Sequence, residues 1–333
     1  MPPPELSIVV PVYGCADCLT ALYERVAATL DATDPDWELV LIDDASPDGA
    51  WERMCALTAC DRRVRSLRLS RNFGQHAAIT AGLAESRGRW VAVMDCDLQD
   101  PPEEIPRLLA TAREGYDVVL SRRDERRQAW HRRVGARTYF RLRNHLLGTK
   151  VDSEYSTLSV ISRSVTDAFL RMGDRDRQYM LILHWLGFRR AVLELEHVER
   201  EVGRSSYTLR TLLQVAMDGM FFQTTVLLRW IVYVGFALAG AGVALAAAFV
   251  GLYFVQRPLP GFTTLAVLIL LVGGFIMLST GITGLYVGKI FEQVKGRPLY
   301  VIAEQTTADT PTGEPPLEPV PAPAVTPAVI IDR

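Results

Sequence analysis

The sequence WVAVMDCDLQD, from Trp90 to Asp100, decides the fold of this 333-residue chain, because an apolar run there changes abruptly into a run of acids. Its first half, Trp90–Met94, has the composition of a buried β-strand. Three similar runs precede it, and helical patterns over about 18–31, 48–59 and 74–86 separate them. The strands predicted in this way are Ser7–Pro11, Glu38–Ile42, Val64–Leu69 and Trp90–Met94. This alternation predicts an α/β fold in which helices cover both faces of a mostly parallel sheet.

Acidic residues follow two of the predicted strands. Asp43 and Asp44 come after the second strand, and Asp95 and Asp97 come after the fourth. Ligands of parallel sheets bind beyond the carboxyl ends of the strands. If the fourth strand remains extended, Asp95, Asp97 and Gln99 direct three oxygen ligands to one face, which suits Mg²⁺ or Mn²⁺. The alternative is a solvated acidic loop that caps the following helix.

The absence of two phosphate-binding motifs and the small net charge narrow the function. No G-x-G-x-x-G follows the first strand and no G-x-x-x-x-G-K-[ST] occurs anywhere, which argues against a dinucleotide dehydrogenase and a P-loop NTPase. The 36 basic and 38 acidic residues give a net charge of -2, which argues against binding nucleic acid by bulk charge. A phosphate ligand would therefore need a metal held by carboxylates.

Two long uncharged stretches predict a transmembrane hairpin. Ile231–Val255 contains no charged residue, and Thr263–Val287 lies within a second uncharged stretch. A helix of about 20 residues crosses the roughly 30 Å hydrocarbon core of a membrane. Only the turn Gln256–Gly261 separates the two stretches. Two buried helices of a soluble domain are the alternative.

Basic residues predict the orientation of this hairpin. Arginines and lysines flank both outer ends, whereas the turn contains only Arg257. The positive-inside rule therefore places both termini in the cytoplasm. The flanking residues are Arg204, Arg210, Arg229, Lys289, Lys295 and Arg297.

The five cysteines are expected to be unpaired, because a domain facing the cytosol lies in a reducing compartment. Cys15-x-x-Cys18 has no second pair and no nearby histidine cluster, which argues against a zinc or redox role.

The domain order follows from these patterns. We expect a cytosolic α/β domain over 1–204, an amphipathic interfacial helix over 205–228, transmembrane helices over 229–256 and 262–288, a juxtamembrane segment over 289–304 and a disordered Pro-rich tail over 305–333. An ordinary core-facing helix is the alternative for 205–228.

Four motifs resemble the signatures of the family 2 glycosyltransferases. They are SIVVPVYG from Ser7, VLIDDASPDG from Val40, LSRNFGQHAAITAGL from Leu69 and VAVMDCDLQDPPEEIPRLL from Val91. The resemblance implies a GT-A nucleotide-sugar-binding fold. Together with the hairpin, it resembles the polyprenyl-phosphate glycosyltransferase branch over about residues 1–300.

The resemblance implies roles for individual residues. Nucleotide contact is implied for Pro11, Tyr13, Asp43 and Asp44, contact with ribose and diphosphate for Asp95 and Cys96, and metal binding for Asp97 and Gln99, with Asp95 a further candidate ligand. Cys15 replaces the glutamate of the family motif. Further donor contacts are implied for Arg122 and for Arg200, Arg204 and Ser205 in a motif resembling R-x-x-G-x-S. That motif favours UDP over GDP.

The residues that would act on the acceptor are less clearly indicated by the sequence than those that would bind the donor. Asp152 and Glu154 are both candidates for a general base. Nine arginines between Arg122 and Arg143 suit a lipid phosphate or anionic headgroups, with a solvated helix face as the alternative.

These observations predict an inverting glycosyltransferase that uses Mg²⁺ or Mn²⁺ and moves one sugar from a nucleotide diphosphate to polyprenyl phosphate. Its expected place is the cytoplasmic face of a bacterial inner membrane, and family resemblance is compatible with self-association. A processive polysaccharide synthase is one alternative, although Gln223 lies six residues before Arg229 rather than three. A non-catalytic membrane protein that binds nucleotide sugars is the other.

Overall fold

The computed structural model describes residues 3–33, 36–123, 155–175, 177–195, 231–238, 240–242, 244, 247–248 and 262–307. The chain divides into two compact units. One unit comprises residues 1–133, 151–204 and 296–333, and contains the β-sheet. The other comprises residues 134–150 and 205–295, and its described part is helical.

The first unit contains an eight-stranded mixed sheet. Its strands are β1 (Leu6–Val12), β2 (Trp37–Asp43), β3 (Val64–Leu69), β4 (Trp90–Val93), β5 (Val118–Arg123), β6 (Tyr155–Ser162), β7 (Arg190–Leu195) and β8 (Ile302–Thr306). They lie in the order β7-β5-β6-β4-β1-β2-β3-β8. Neighbours from β4 to β3 are parallel, as are β5 and β7, whereas β6 and β8 run antiparallel to their neighbours. The predicted mostly parallel sheet is confirmed.

Helices cover both faces of the sheet because successive residues of its central strands are apolar. The helices are α1 (Leu19–Asp31), α2 (Ala50–Cys60), α3 (Gln75–Glu85), α4 (Ile105–Arg113), α5 (Arg163–Arg171) and α6 (Tyr179–Trp185). Ile8 and Val10 of β1 pack in the cluster with α1, α2 and α4. Val9, between them, packs in the cluster with α3, α5 and α6. Alternate residues of one strand thus face two separate hydrophobic cores.

The strand β8 lies in a segment predicted to belong to the juxtamembrane region and the Pro-rich tail. Ile302–Thr306 instead pairs antiparallel with β3 and forms the edge of the eight-stranded sheet. Five residues with little apolar character carry no local strand signal, and the pairing joins residues far apart in sequence. The sequence pattern therefore does not predict this edge strand.

The second unit contains a helix from Phe262 to Val294, 33 residues long. Its part Val272–Val294 is long and apolar enough to cross a membrane, and its side chains are not buried in the protein. A shorter apolar helix covers Ile231–Gly242. Among the described residues, Val272–Val294 is the only helical stretch long enough to cross a membrane. The two-helix hairpin stays a prediction, and the expected amphipathic helix at 205–228 lies outside the described residues.

Gly82 allows α3 to lie close against the sheet. A Cβ atom at this position would be 2.3 Å from Val9 Cγ1 and 2.6 Å from Ile42 Cδ1. Real Cβ atoms do not approach carbon atoms so closely, so any side chain here would push α3 away from β1 and β2. Because α3 begins at the carboxyl ends of these strands, this contact also fixes the position of its first residue, Gln75.

We predict that Gly82→Ala destabilises the protein. Overpacking costs about 1–3 kcal/mol, and an approach of 2.3 Å belongs in the upper part of that range, about 2–3 kcal/mol. The better helix propensity of alanine returns about 1 kcal/mol, so the net loss should be about 1–2 kcal/mol. Thermal unfolding of the full-length protein in detergent, followed by tryptophan fluorescence, should show a Tm lower by roughly 2–8 °C.

Gly173→Ala is the matched control for Gly82→Ala. No heavy atom lies within 4 Å of a Cβ built at Gly173. Its Tm should equal that of the unmodified protein. An unchanged Tm for Gly82→Ala would contradict the packing argument.

Candidate active site

The carboxyl ends of β4, β1 and β2 bring three loops together at one edge of the sheet. The strands are neighbours, with Leu6 of β1 level with Trp37 of β2 and Trp90 of β4. The two acidic segments that follow β2 and β4 therefore lie on either side of the loop after β1. In that loop the side chain of Tyr13 is 54% exposed, whereas Pro11 is buried within β1. An exposed ring beside two acidic loops suits stacking against a nucleotide base.

Asp43 and Asp44 are buried, and their carboxylates accept hydrogen bonds from backbone N–H groups of nearby loops. Asp44 accepts hydrogen bonds from the backbone N–H groups of Phe73 (2.7 Å) and Gly74 (2.8 Å). Gly74 has a positive φ of 94°, a conformation that favours glycine. Asp43 is fully buried and accepts from the N–H of Ser46 at 2.8 Å. Burial raises the pKa of both carboxyls, against the lowering effect of these hydrogen bonds. Their predicted nucleotide contact stays a prediction, and the role visible here is to order loops.

Ser46 and Asp48 tie the β2 loop to the β1 loop. The Ser46 hydroxyl accepts from the N–H of Gly14 at 2.8 Å and donates to Asp48. The other carboxylate oxygen of Asp48 accepts from the N–H of Ala16 at 2.8 Å. Burial raises the pKa of Asp48, but the hydrogen bonds from the Ser46 hydroxyl and from the backbone N–H groups of Ala16, Asp48 and Ala50 together outweigh it, and the net pKa is lowered. The charged form of Asp48 thus stabilises the β1 loop.

Asp95 is fixed by two neutral donors. Its Oδ1 accepts from Gln75 Nε2 at 2.7 Å, and its Oδ2 accepts from Thr157 Oγ1 at 2.9 Å. Gln75 is the first residue of α3 and Thr157 lies on β6. Neither residue is among the site residues predicted from the sequence. Gln75 lies inside the RNFGQH motif, which was a usable signal, but no local signal connects Thr157 with a residue 62 positions earlier.

Asp97 lies in a tight turn and not on an extended strand. The strand β4 ends at Val93, and Leu98 has a positive φ of 59°. Asp97 Oδ1 accepts from the N–H of Gln99 at 3.2 Å. The expectation that strand alternation directs Asp95, Asp97 and Gln99 to one face was therefore wrong, because the strand is too short. Strain of this kind in a non-glycine residue clusters at functional sites.

The acidic turn is also anchored at its far end and does not form a metal cage by itself. Asp100 is 2% exposed and accepts a hydrogen bond from the Ser156 hydroxyl. Within the described parts of the chain, no group of three or more His, Cys, Asp or Glu side chains has an arrangement that could hold a metal ion. A cation here would therefore take most of its ligands from elsewhere.

Cys15 and Cys96 form a disulfide whose Cα atoms are 6.6 Å apart. The expectation of five unpaired cysteines was wrong for these two. Cys15 follows β1 and Cys96 follows β4, so adjacent strands bring together residues 81 positions apart. Sequence spacing alone revealed only the Cys15-x-x-Cys18 pair, which is not bonded. The Cys96 side chain, predicted to border the donor, is 8% exposed and packs in the core.

The remaining predicted site residues divide into two groups. Arg122 lies on β5 and forms an ion pair with Glu194 of β7, so its guanidinium is already engaged in this structure. The others lie outside the described residues, and their roles stay predictions. They are Asp152, Glu154, Arg200, Arg204 and Ser205.

Comparisons with known proteins identify the family. A family model described as glycosyl transferase family 2 matches residues 7–170. The undecaprenyl-phosphate 4-deoxy-4-formamido-L-arabinose transferase of Proteus mirabilis is 34% identical over 303 residues, which are 90% of this chain and 93% of that relative. The chain belongs to glycosyl transferase family 2. The predicted resemblance and enzyme class are confirmed.

Two further proteins similar to this glycosyltransferase extend the comparison. The uncharacterized glycosyltransferase YkcC of Bacillus subtilis is 31% identical over 302 residues, covering 90% of this chain and 93% of that protein. Among solved structures, the mannosyltransferase PcManGT from Pyrobaculum calidifontis in complex with GDP-Man and Mn²⁺ is 17% identical, with a TM-score of 0.46 and coverage of 89% and 88% of the two chains.

We predict that Thr157→Val weakens catalysis by this glycosyltransferase. Valine keeps the shape of threonine but removes the hydroxyl that holds Asp95. A hydrogen bond to a charged group contributes about 1.5–3 kcal/mol, so kcat/KM should fall roughly tenfold or more. Steady-state sugar transfer by the full-length protein measures this.

Thr157→Ser is the matched control, because serine retains the hydroxyl donor. Its kcat/KM should stay within about threefold of the unmodified enzyme. Equal losses in the valine and serine variants would show that packing of the threonine methyl group matters and that the hydrogen bond does not.

Proposed function

We propose that this glycosyltransferase moves a single sugar from a nucleotide diphosphate donor, with UDP favoured, to polyprenyl phosphate, and inverts the anomeric configuration. The proposal includes a divalent cation, Mg²⁺ or Mn²⁺. It places the catalytic unit and both termini on the cytoplasmic side of a bacterial inner membrane, as the basic residues around the apolar stretches favour.

One observation carries the proposal: Asp95, beside Asp97 in a strained turn, is fixed from two sides at the sheet edge where the exposed Tyr13 lies. An aromatic ring and a pair of carboxylates on adjacent strand ends match the two halves of a nucleotide diphosphate. The ring suits the base, and the carboxylates suit a cation that carries the diphosphate.

The residues at this edge fit a divalent cation. Mg²⁺ usually takes one or two protein carboxylates and completes its shell with waters and substrate phosphates. Asp95 and Asp97 supply two carboxylates, and the neutral donors Gln75 and Thr157 orient Asp95 without cancelling its charge. When bound, the cation would neutralise negative charge on the leaving diphosphate. Gln99, the third predicted ligand, remains a candidate on the same turn.

The acceptor reduces the need for a general base. In the transfer, a phosphate oxygen forms a bond to the anomeric carbon while the bond from that carbon to the diphosphate breaks on the opposite face. A phosphate monoester has a second pKa near about 6, so this oxygen is largely anionic at neutral pH. Catalysis then depends on orientation and on stabilising the leaving group. A base at Asp152 or Glu154 would contribute little.

The choice of a polyprenyl acceptor has two supports. The relative from Proteus mirabilis is named as an undecaprenyl-phosphate transferase and aligns over 93% of its length. The helix that contains Val272–Val294 is apolar and long enough to enter a membrane, where a polyprenyl chain would lie. A water-soluble acceptor would not need this helix.

The decisive experiment uses the full-length protein in detergent with undecaprenyl phosphate, Mn²⁺ or Mg²⁺, and a panel of labelled UDP- and GDP-sugars. One donor should give one labelled lipid carrying a single sugar. Asp97→Asn should lower turnover by about 100-fold or more, because it removes a carboxylate that holds the cation. Asp36 is an exposed residue immediately before β2, at the opposite end of the parallel strands from the site. Asp36→Asn should therefore leave turnover unchanged.

The alternatives give different products. A ladder of labelled polymer would indicate a processive synthase and contradict transfer of a single sugar. Binding of a nucleotide sugar without any product, across the whole panel, would contradict the enzymatic proposal. Full activity of Asp97→Asn would contradict the role of Asp97.

A further inference from the structure

The disulfide between Cys15 and Cys96 joins the two loops that the proposed donor site needs. Cys15 lies two residues after the exposed Tyr13, and Cys96 lies between Asp95 and Asp97. The bond therefore connects the loop that would carry the base directly to the turn that would carry the cation. No other disulfide occurs within the parts of the chain that the structure describes.

The acidic turn is held from both faces of the sheet. On one face, Asp95 is hydrogen-bonded to Gln75 of α3, whose helix packs in one hydrophobic cluster. On the other face, the Cys96 side chain packs in the second cluster, together with Ala16 and Ile105. The disulfide is the covalent part of this second attachment. Breaking it leaves the turn that contains Asp97 held by the hydrogen bonds of Asp95 and Asp100 but without its covalent link to the β1 loop.

The β1 loop is hydrogen-bonded on both sides of Cys15, and these bonds do not depend on the disulfide. The N–H groups of Gly14 and Ala16 donate to Ser46 and Asp48 of the β2 loop. On the acidic turn the bonds to other elements named above lie at Asp95 and Asp100, so loss of the disulfide should loosen the residues between them more than the β1 loop. The disulfide therefore has a specific effect, because it restricts the motion of the residues that the cation would contact.

We propose that Cys15 and Cys96 form a reversible thiol–disulfide switch that tunes donor binding by ordering the Asp95–Asp97 turn. The proposal rests on the proposed function for its effect on the donor. Disulfides in cytosolic proteins of mesophiles are usually transient and often redox-sensing, which suits a catalytic unit on the cytoplasmic side.

The chemistry balances with a low-molecular-weight disulfide, RSSR, as oxidant. Cys15 is partly exposed and Cys96 is 8% exposed, so Cys15 is the thiol that the oxidant reaches first. Its sulfur attacks RSSR and one RS⁻ leaves; the Cys96 sulfur then attacks the mixed disulfide and a second RS⁻ leaves. The two protons lost by the protein thiols end on the two RS⁻ groups. Two protein thiols are oxidised and RSSR is reduced to two RSH.

The experiment compares full-length protein equilibrated with oxidised glutathione and protein reduced with a phosphine. Alkylation followed by intact mass should count three reactive cysteines in the oxidised sample and five in the reduced one, since two of the five are bonded. Hydrogen–deuterium exchange should be faster after reduction in the peptide with Asp95–Asp100 and unchanged in β7. The Tm should fall by roughly 5–10 °C, because the bond closes a long loop.

Kinetics then measures the effect on the donor. Reduction should raise the KM for the nucleotide sugar about threefold or more with little change in kcat, because a loosened turn weakens binding of the cation–diphosphate pair. Cys15→Ser should show, in both conditions, the raised KM that the unmodified protein has after reduction. Cys96→Ser should behave in the same way but alters a buried position, so Cys15→Ser is the primary variant. Cys60→Ser, an exposed cysteine outside the bond, should respond like the unmodified protein.

Two results would overturn the switch. One is five alkylated cysteines after treatment with oxidised glutathione; the other is a formed bond that leaves both the exchange of Asp95–Asp100 and the Tm unchanged. A donor KM that is the same in both states would refute the effect on binding. If no donor gave product, the proposed function would fail, whereas the alkylation count, the exchange and the Tm would still decide the switch.

Discussion

The constraint on which this structure depends is the burial of β1, β2 and β4 on both faces. Strands covered by helices on each side take a charged group into their interior only when it is paired, as Glu38 of β2 is with Ser7 and Arg65. A ligand site is therefore placed where the strands end. The fully buried Val9 and Val10 illustrate this, since neighbouring residues face opposite cores. Because the three strands are parallel and adjacent, their ends meet at one edge. The clustering of acids at that edge follows from the sheet before any detail of the chemistry is considered.

Most of the acids at this edge organise other residues. Asp44 orders the turn before α3, Asp48 holds the β1 loop, and Asp100 accepts from Ser156. The turn before α3 in turn presents Gln75 to Asp95. The β2 loop thus positions two other loops through Asp44 and Asp48, and the turn containing Asp97 depends on Asp44 through Gln75 and on its own Asp100. A network of this kind can hold a substrate's charged groups with little reorganisation, which is the main source of electrostatic catalysis.

Sequence patterns were sufficient for the central strands and helices, because continuous apolar runs and helical periodicity are local properties. They also placed Asp43, Asp44, Asp95 and Asp97 at one edge. They could not supply partners that depend on long-range pairing: Thr157 reaches Asp95 through the antiparallel strand β6, and Cys15 reaches Cys96 across adjacent strands. They also overestimated the fourth strand, which stops at Val93, because nothing in the residues announces the left-handed turn at Leu98.

The edge strand β8 has a consequence for biosynthesis. Ile302–Thr306 leaves the ribosome only after the long apolar helix that precedes it in the chain. Until then β3 presents an unpaired edge, and such edges are templates for wrong pairing with other chains. The sheet therefore cannot be completed by a nascent chain that contains only its N-terminal half. Completion of the sheet therefore always follows synthesis of the apolar helix.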